Sequence, residues 1–283
     1  MVNNRSVYND SFRVRYGLLP IAISENTDHF DTNPHIHSEI ELLYINQGKA
    51  RIYISDKCYS VGEGDIVIVN PMEVHSIICD KSIPYHQRCI CFDLSLLPDK
   101  RLAEELVSGI CYIERFFAKD AVITSRISEY FEKMFESVSM SDDTLLFEGT
   151  AYSSLIFSVL KRSGLINKKT TSGKRPEFAS SVQSYLAEHF SENITSEHIA
   201  RELYYTQSYF CRLFRESFGT SFLEYLSMYR ISKAKSMLED DSLKISEVAE
   251  RVGILDQSYF SKCFKNLVGV SPTEYKKRQY SSI

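Results

Sequence analysis

Apolar residues change their spacing along the chain, and that change divides it. From Glu41 onward, short apolar runs alternate with turn formers: ELLYI, NQGK, ARIYI, SDK, CYSV, GEGD, IVIV, NPME and VHSII. Short strands at even spacing between Gly, Asn, Asp and Pro predict an antiparallel sandwich or barrel. Five of the seven prolines fall within the first 98 residues, which leaves the later chain free to be helical. Over 100–164 the period becomes that of a helix: Ile127, Tyr130, Phe131, Met134 and Phe135 recur at i, i+3, i+4, i+7 and i+8, and a second apolar run, YSSLIFSVL, follows at 152–160. Two such helices need a surface to cover, either on the same chain or on a second copy. LINKKTTSGKRPEF (165–178), polar and basic with one Gly and one Pro, reads as a linker.

Past the linker the chain repeats itself. TQSYFCRLFRESFG (206–219) aligns with DQSYFSKCFKNLVG (256–269) at an offset of 50, with Gln-Ser-Tyr-Phe identical in both. Upstream of each copy lies a short helix with the same apolar beats, Ile199, Ala200 and Leu203 in one and Val248, Ala249 and Val252 in the other, with Thr195 and Ser246 where N-caps belong. Helix, tight turn (YYT, then GILD) and helix is the helix-turn-helix layout, whose second helix enters the major groove of DNA.

Helical periodicity assigns faces to the second helices. Phe210, Leu213 and Phe214 form one apolar stripe, which puts Ser208, Cys211, Arg212 and Arg215 on the other side, with Gln207 at the first turn. In the second copy Phe260, Cys263 and Phe264 point inward, leaving Ser258, Ser261, Lys262 and Lys265 outward with Gln257 at the start. Small residues beside cations let a helix approach base edges, with Arg212 suited to a bidentate contact to guanine and Lys262 acting as a point donor. Tyr209 and Tyr259 either touch phosphates or pack on the neighbouring helix. The helix between the units, SFLEYLSMYRISKAKSML, buries Phe222, Tyr225, Leu226, Tyr229 and Met237 by its pattern and so fixes the separation of the two readers. A single amphipathic helix with Lys and Arg outside is an ordinary solvated surface; a duplicated one with matched residue types calls for a common partner.

Composition adjusts this picture. At 283 residues the chain suits two domains. Its net charge of −4 gives no basic coat, and from Lys174 to the end 15 Lys and Arg stand against 14 Asp and Glu, so the case for double-stranded DNA as partner rests on where particular charges sit. Seven cysteines with no C-x-x-C pair suggest neither a disulfide framework nor a thiolate zinc site. No signal-peptide core or membrane-length apolar stretch is present, so a cytoplasmic location without membrane association is expected.

Residues 180–278, through RISKAKSML, ISEVAERVGI, DQSYFSKCFK and GVSPTEYKKR, resemble the DNA-binding domain of AraC/XylS-family transcription regulators. Two positions depart from that pattern: Ile254 stands where Phe is usual, and Tyr204-Tyr205 replace small residues of the first turn. In PHIHSEIELLYINQG (34–48) and GDIVIVNPMEVHS (64–76), the order His35, His37, Glu41, His75 resembles the motifs of the cupin barrel, in the place where an AraC-type regulator keeps its effector domain. Strand parity puts residues 35, 37 and 41 on one face, together with Glu39. These side chains either bind a small-molecule effector, hold a divalent metal such as zinc, iron or manganese, or are structural; no cofactor is expected. Arg51 and Tyr53 lie on the next strand with their face undetermined, and Cys89 and Cys91 read as core.

The expected fold is α+β and multidomain: a cupin-like antiparallel β-barrel with an N-terminal arm (1–98), a helical region (99–164), a linker (165–178) and an all-α domain of two helix-turn-helix units (179–283). The resemblance implies a transcription activator that responds to a small-molecule effector, contacts RNA polymerase and forms a homodimer, without enzymatic activity. The competing reading is a cupin metalloenzyme that carries a DNA-binding tail.

Overall fold

β-Branched and aliphatic runs between turn formers build the first half of the chain into two facing sheets. The computed structural model describes residues 14–15, 21–27, 31–107, 109–140, 144–168, 174–238, 240 and 242–278; the remainder of the expected N-terminal arm lies outside them. The strands are β1 (Val14–Arg15), β2 (Ile21–Thr27), β3 (Ile40–Gln47), β4 (Lys49–Ile54), β5 (Lys57–Gly62), β6 (Ile66–Val69), β7 (His75–Cys79), β8 (His86–Phe92), β9 (Cys111–Ile113), β10 (Phe116–Phe117) and β11 (Ile166–Lys168). One sheet runs β1-β2-β8-β3-β6-β10, the other β5-β4-β7, and β11 pairs with β9; every ladder is antiparallel. Leu43, Val67 and Cys89 of the larger sheet meet Ile52, Val61 and Ile77 of the smaller one between the layers. Arg51 is exposed and Tyr53 half-buried, so the β4 side chains that face the interior are Ala50, Ile52 and Ile54.

The larger sheet is covered on its other face as well. There Leu42, Ile68 and Ile90 meet Ile127, Phe131 and Met134 of α2 (Val122–Met140) and Ile156 and Leu160 of α3 (Leu145–Arg162). Burial on both faces explains why IVIV and CICF read as continuous apolar runs rather than alternating ones. It also settles the surface that the two apolar helices cover: both stripes pack within one chain, alongside α1 (Lys100–Val107). Within the stretch read as a linker, Ile166–Lys168 forms β11, residues 169–173 lie outside the described residues, and Lys174 begins α4 (Lys174–His189).

The C-terminal half continues with α5 (Ser196–Glu202), α6 (Gln207–Phe218), α7 (Phe222–Met237), α8 (Ile245–Arg251), α9 (Gln257–Val268) and α10 (Pro272–Arg278). None of the described helices is long and apolar enough to cross a membrane. Thr195 caps α5 by accepting from the His198 N–H, Thr206 caps α6, and Asp256 caps α9 by accepting from Ser258 and Tyr259. Ser246 does not cap α8. The cap position is Lys244, whose N–H donates to the Glu247 carboxylate at 2.6 Å, and Ser246 lies inside the first turn. Glu247, three residues after the cap, reaches back to the Lys244 N–H, the half of a capping box that an N-cap hydroxyl does not serve.

α7 is buried on most of its circumference, the pattern of a helix with packing partners on every side. Its first half (Phe222, Tyr225, Leu226) lies in the core of the first helix-turn-helix unit, and its second half (Ile231, Ala234), with the C-cap residue Leu238, in that of the second. The first of these cores also takes in Ile36, Met72 and Val74 from the barrel. At that junction the Tyr225 hydroxyl donates to the Met72 carbonyl at 3.0 Å. Gly219, the left-handed C-cap of α6 at φ +73°, lies so close to the barrel that a Cβ there would come within 2.4 Å of the Ser55 carbonyl oxygen.

Candidate DNA interface and barrel cluster

Both second helices begin at a side-chain cap, bury an aromatic pair and end at a left-handed glycine. Phe210 and Phe214 of α6, and Phe260 and Phe264 of α9, are fully buried, which turns the opposite faces outward. Gln207, Ser208, Cys211, Arg212 and Arg215 are exposed on α6, and Gln257, Ser258, Lys262 and Lys265 on α9; Ser261 is half-buried. Gln207 also donates from Nε2 to the Ser196 hydroxyl at 3.0 Å, which ties α6 to the first turn of α5. The Arg212 guanidinium lies 5.2 Å from the centre of the Tyr209 ring, and that ring stacks on Tyr205 at 5.5 Å. Tyr209 thus packs within its unit, whereas Tyr259 is more than half exposed. Cys263, expected inward, is half-buried beside Tyr259.

The two turns are not equivalent. In the second unit the left-handed position is Gly253 (φ +75°), packed so tightly that a Cβ would lie 2.2 Å from the Ser191 carbonyl oxygen. In the first it is Tyr204 (φ +60°), 96% exposed, a residue type for which this backbone costs on the order of 1–2 kcal/mol.

In the barrel, His35, His37, Glu41 and His75 come together with relative exposures of 8, 4, 4 and 1%. Their arrangement differs from the one parity implied. β3 begins only at Ile40, the chain bends at Ser38–Glu39, and His35 belongs to an isolated bridge in which its N–H and that of His75 each donate to the other's carbonyl at 3.0 Å. The bend returns the His37 ring to the Glu41 carboxylate, Nε2 to Oε2 2.8 Å, and His75 Nε2 lies 3.0 Å from the same oxygen. Glu39 stays half-buried and presents its carbonyl oxygen to His37 Nδ1 at 3.1 Å. The other two rings are held alike, His35 Nδ1 by the Asn33 carbonyl and His75 Nδ1 by the Glu73 carbonyl, each at 2.9 Å. Glu73 is itself clamped by Arg115, whose guanidinium is pushed further up by the attraction of that carboxylate against the cost of burial.

Sequence reasoning missed one member of this cluster. Cys89, read as core, donates its thiol to Glu41 Oε1 at 2.9 Å and lies 3.6 Å from Cys91 through sulfur. The signal that could have found it is its place on β8: Cys89 and Cys91 face the same side of that strand, and β8 pairs with β3 so that Cys91 stands opposite Glu41. The four donor atoms of His35, His37, Glu41 and His75 all lie within 4.8 Å of one another.

Comparison with known proteins agrees with this two-part architecture. Residues 18–153 match the AraC-like ligand binding domain and residues 199–278 a helix-turn-helix domain. The chain is 24% identical over 262 residues to the Msm operon regulatory protein of Streptococcus mutans, covering 90% of each chain. It is 27% identical over 246 residues to the raffinose operon transcriptional regulatory protein RafR of Pediococcus pentosaceus, covering 86% of each. Among solved structures, an apo variant of ToxT from Vibrio cholerae superposes with a TM-score of 0.55 at 18% identity, over 93% of this chain and 99% of that one, a likeness of fold. With a ligand-binding barrel ahead of a duplicated helix-turn-helix and relatives that regulate operons, the chain belongs to the AraC/XylS family of DNA-binding transcription regulators.

Proposed function

We propose that this regulator reads one DNA site with α6 and α9 together and adjusts that reading to a ligand held in its barrel. The observation that carries the proposal is the pair of matched, exposed polar faces mounted on two cores that share one buried helix, α7. A rigid spacer of that kind suits two helices entering successive major grooves, ~34 Å apart on one side of the duplex. Arg212 then forms the bidentate contact to guanine and Lys262 the point contact, Ser208, Cys211, Ser258 and Ser261 permit close approach, and Gln207 and Gln257 stand where the helices first meet base edges. Arg215 and Lys265, one turn further on, contact phosphates.

The barrel is the sensor, with His35, His37, Glu41 and His75 as its ligand donors. In keeping with the family, the protein works in the cytoplasm as an activator that contacts RNA polymerase, and the barrel performs no reaction. Phe147 and Leu155, exposed on α3 two turns apart, support a homodimer formed through that helix. Selection from a random duplex pool with the full-length protein tests the reading, repeated with sugars, small metabolites and divalent metal salts. The expected result is an enriched site of two half-sites one helical turn apart, with an affinity that one added ligand changes; recovery of no sequence above random competitor would sink it.

A further inference from the structure

The turns of the two helix-turn-helix units differ by one residue. After α5 and after α8 the chain folds back through the same pair of hydrogen bonds. Tyr204 and Tyr205 donate from their N–H groups to the Arg201 and Ala200 carbonyls, and Gly253 and Ile254 to those of Glu250 and Ala249. Tyr204 therefore stands where Gly253 does, and Tyr205 where Ile254 does. The second member of each pair turns inward, Tyr205 against Phe178 and Ile254 into the core of the second unit. The first unit then goes straight to its cap, Thr206, whereas the second inserts Leu255 before its cap, Asp256. Hence Ile199 aligns with Val248 at an offset of 49, but Gln207 with Gln257 at 50.

Neither the left-handed residue of the first turn nor the inserted residue of the second is covered. Tyr204 is 96% exposed and Leu255 84%, the highest values of any large apolar side chain among the described residues. One exposed leucine or tyrosine is an ordinary surface feature. The two most exposed, each in the turn of one reader, point to a common partner. Tyr204 also holds a left-handed backbone that glycine would adopt without strain, and such strain gathers where a side chain is needed for binding.

In a docked helix-turn-helix the first helix crosses the sugar-phosphate backbone and the second brings its N-terminal residues to the base edges. The turn that joins them stands at the lip of the major groove, against the backbone. Leu255 lies two residues before Gln257 and Tyr204 three before Gln207, so both continue the faces of α6 and α9. A leucine offers apolar contact there, and the apolar part of the backbone is its deoxyribose. A tyrosine adds a hydroxyl that donates to a phosphate oxygen while the ring lies on the sugar. Charge favours the same assignment. The Asp256 carboxylate, accepting from the N–H groups of Ser258 and Tyr259, puts a negative charge at the start of α9 where α6 has the neutral Thr206 hydroxyl. That charge repels phosphate, which leaves the uncharged leucine beside the cap to meet the backbone.

We propose that Tyr204 and Leu255 are backbone contacts of the DNA interface, each covered by deoxyribose at the edge of the major groove that its unit enters. This rests on α6 and α9 being the reading helices, and adds contacts outside the faces that read bases.

The test compares full-length wild-type protein with Leu255→Ser and Tyr204→Asn, on the duplex the wild type selects and on a random duplex of equal length. Asparagine is chosen because it tolerates the left-handed backbone. Each variant should bind both duplexes about tenfold more weakly, the equivalent of about 1.4 kcal/mol, with the thermal stability of the free protein not lowered. The salt slope should stay that of the wild type in Leu255→Ser, because no charge is displaced. Hydroxyl-radical cleavage at saturating protein reports exposed deoxyribose: sugars at one half-site should lose protection in Leu255→Ser, and at the other in Tyr204→Asn. A loss confined to the selected duplex, with altered base preference, would assign these side chains to base edges and overturn the proposal. Unchanged affinity and sugar protection would overturn it as well; if transcription by purified RNA polymerase then failed, the turns would belong to a protein partner. Should the wild type select no duplex, the reading helices themselves fail. Should it select one that both variants bind equally well, only the turn contacts do.

Discussion

The two helix-turn-helix units are near copies in sequence, but different structures stand behind them. The core of the second unit is built from Ile231, Val248, Phe260, Phe264 and their neighbours, all within the C-terminal region. The core of the first is completed by Ile36, Met72 and Val74 from the barrel, with the Tyr225–Met72 hydrogen bond and the Gly219–Ser55 approach at its edge. A buried aliphatic or Met side chain contributes on the order of 1.5–3 kcal/mol relative to an exposed one, so three of them make this dock a substantial part of the first unit's stability. Duplication thus supplied two similar units, and among the described residues barrel side chains enter the buried core of the first and not that of the second. The element that the two cores share is α7.

Core truncation separates the two units most strongly. Phe214→Ala and Phe264→Ala each empty a fully buried aromatic site and should each cost roughly 3–5 kcal/mol by denaturant unfolding. Only Phe214→Ala should also accelerate amide exchange over Met72–His75; equal acceleration by both would erase the asymmetry. At the DNA surface, Arg212→Ala should cost ~1–3 kcal/mol and relax base preference at one half-site, and Lys262→Ala should act at the other half-site. Unchanged affinity for the selected site in both variants would mean that these faces do not read bases.

Gly219→Ala probes the dock from the helix side. It imposes a left-handed alanine, worth ~1–2 kcal/mol, and drives a Cβ toward the Ser55 carbonyl, so exchange over the barrel dock should rise with the loss of stability. A loss with no change at the dock would confine the defect to the cap. Tyr204→Gly runs the other way. The glycine relieves the left-handed strain at an exposed position while adding freedom to the unfolded chain, for a net gain of roughly 0.5 kcal/mol. A loss instead would show that the Tyr204 ring contributes in spite of its exposure.

Local periodicity made some of this legible and long-range packing withheld the rest. The repeated Gln-Ser-Tyr-Phe and the aromatic stripes are enough to place Arg212 and Lys262 outward, because a helix face follows from spacing alone. Strand parity brings His35, His37 and Glu41 together for the wrong reason. Parity holds only within a strand, and the bend at Ser38–Glu39, not a continuous β3, sets their meeting. The stripe from Ile127 to Phe135 is evident from spacing, yet its partner stays open until the doubly covered sheet supplies one. The docking role of Ile36 and Val74 has no local signal beyond an apolar residue alternating with a buried polar one; which core they enter depends on contacts some 150 residues away in sequence, such as Tyr225 to Met72.

The rigid pairing of the two readers is tested most directly by the spacing of the selected site. Full-length protein should lose most of its affinity when five base pairs, about half a helical turn, are inserted between the half-sites, falling to the level of a duplex carrying only one of them. Affinity unchanged by the insertion would contradict the account, because two helices fixed at either end of α7 cannot follow half-sites that have rotated to opposite sides of the DNA.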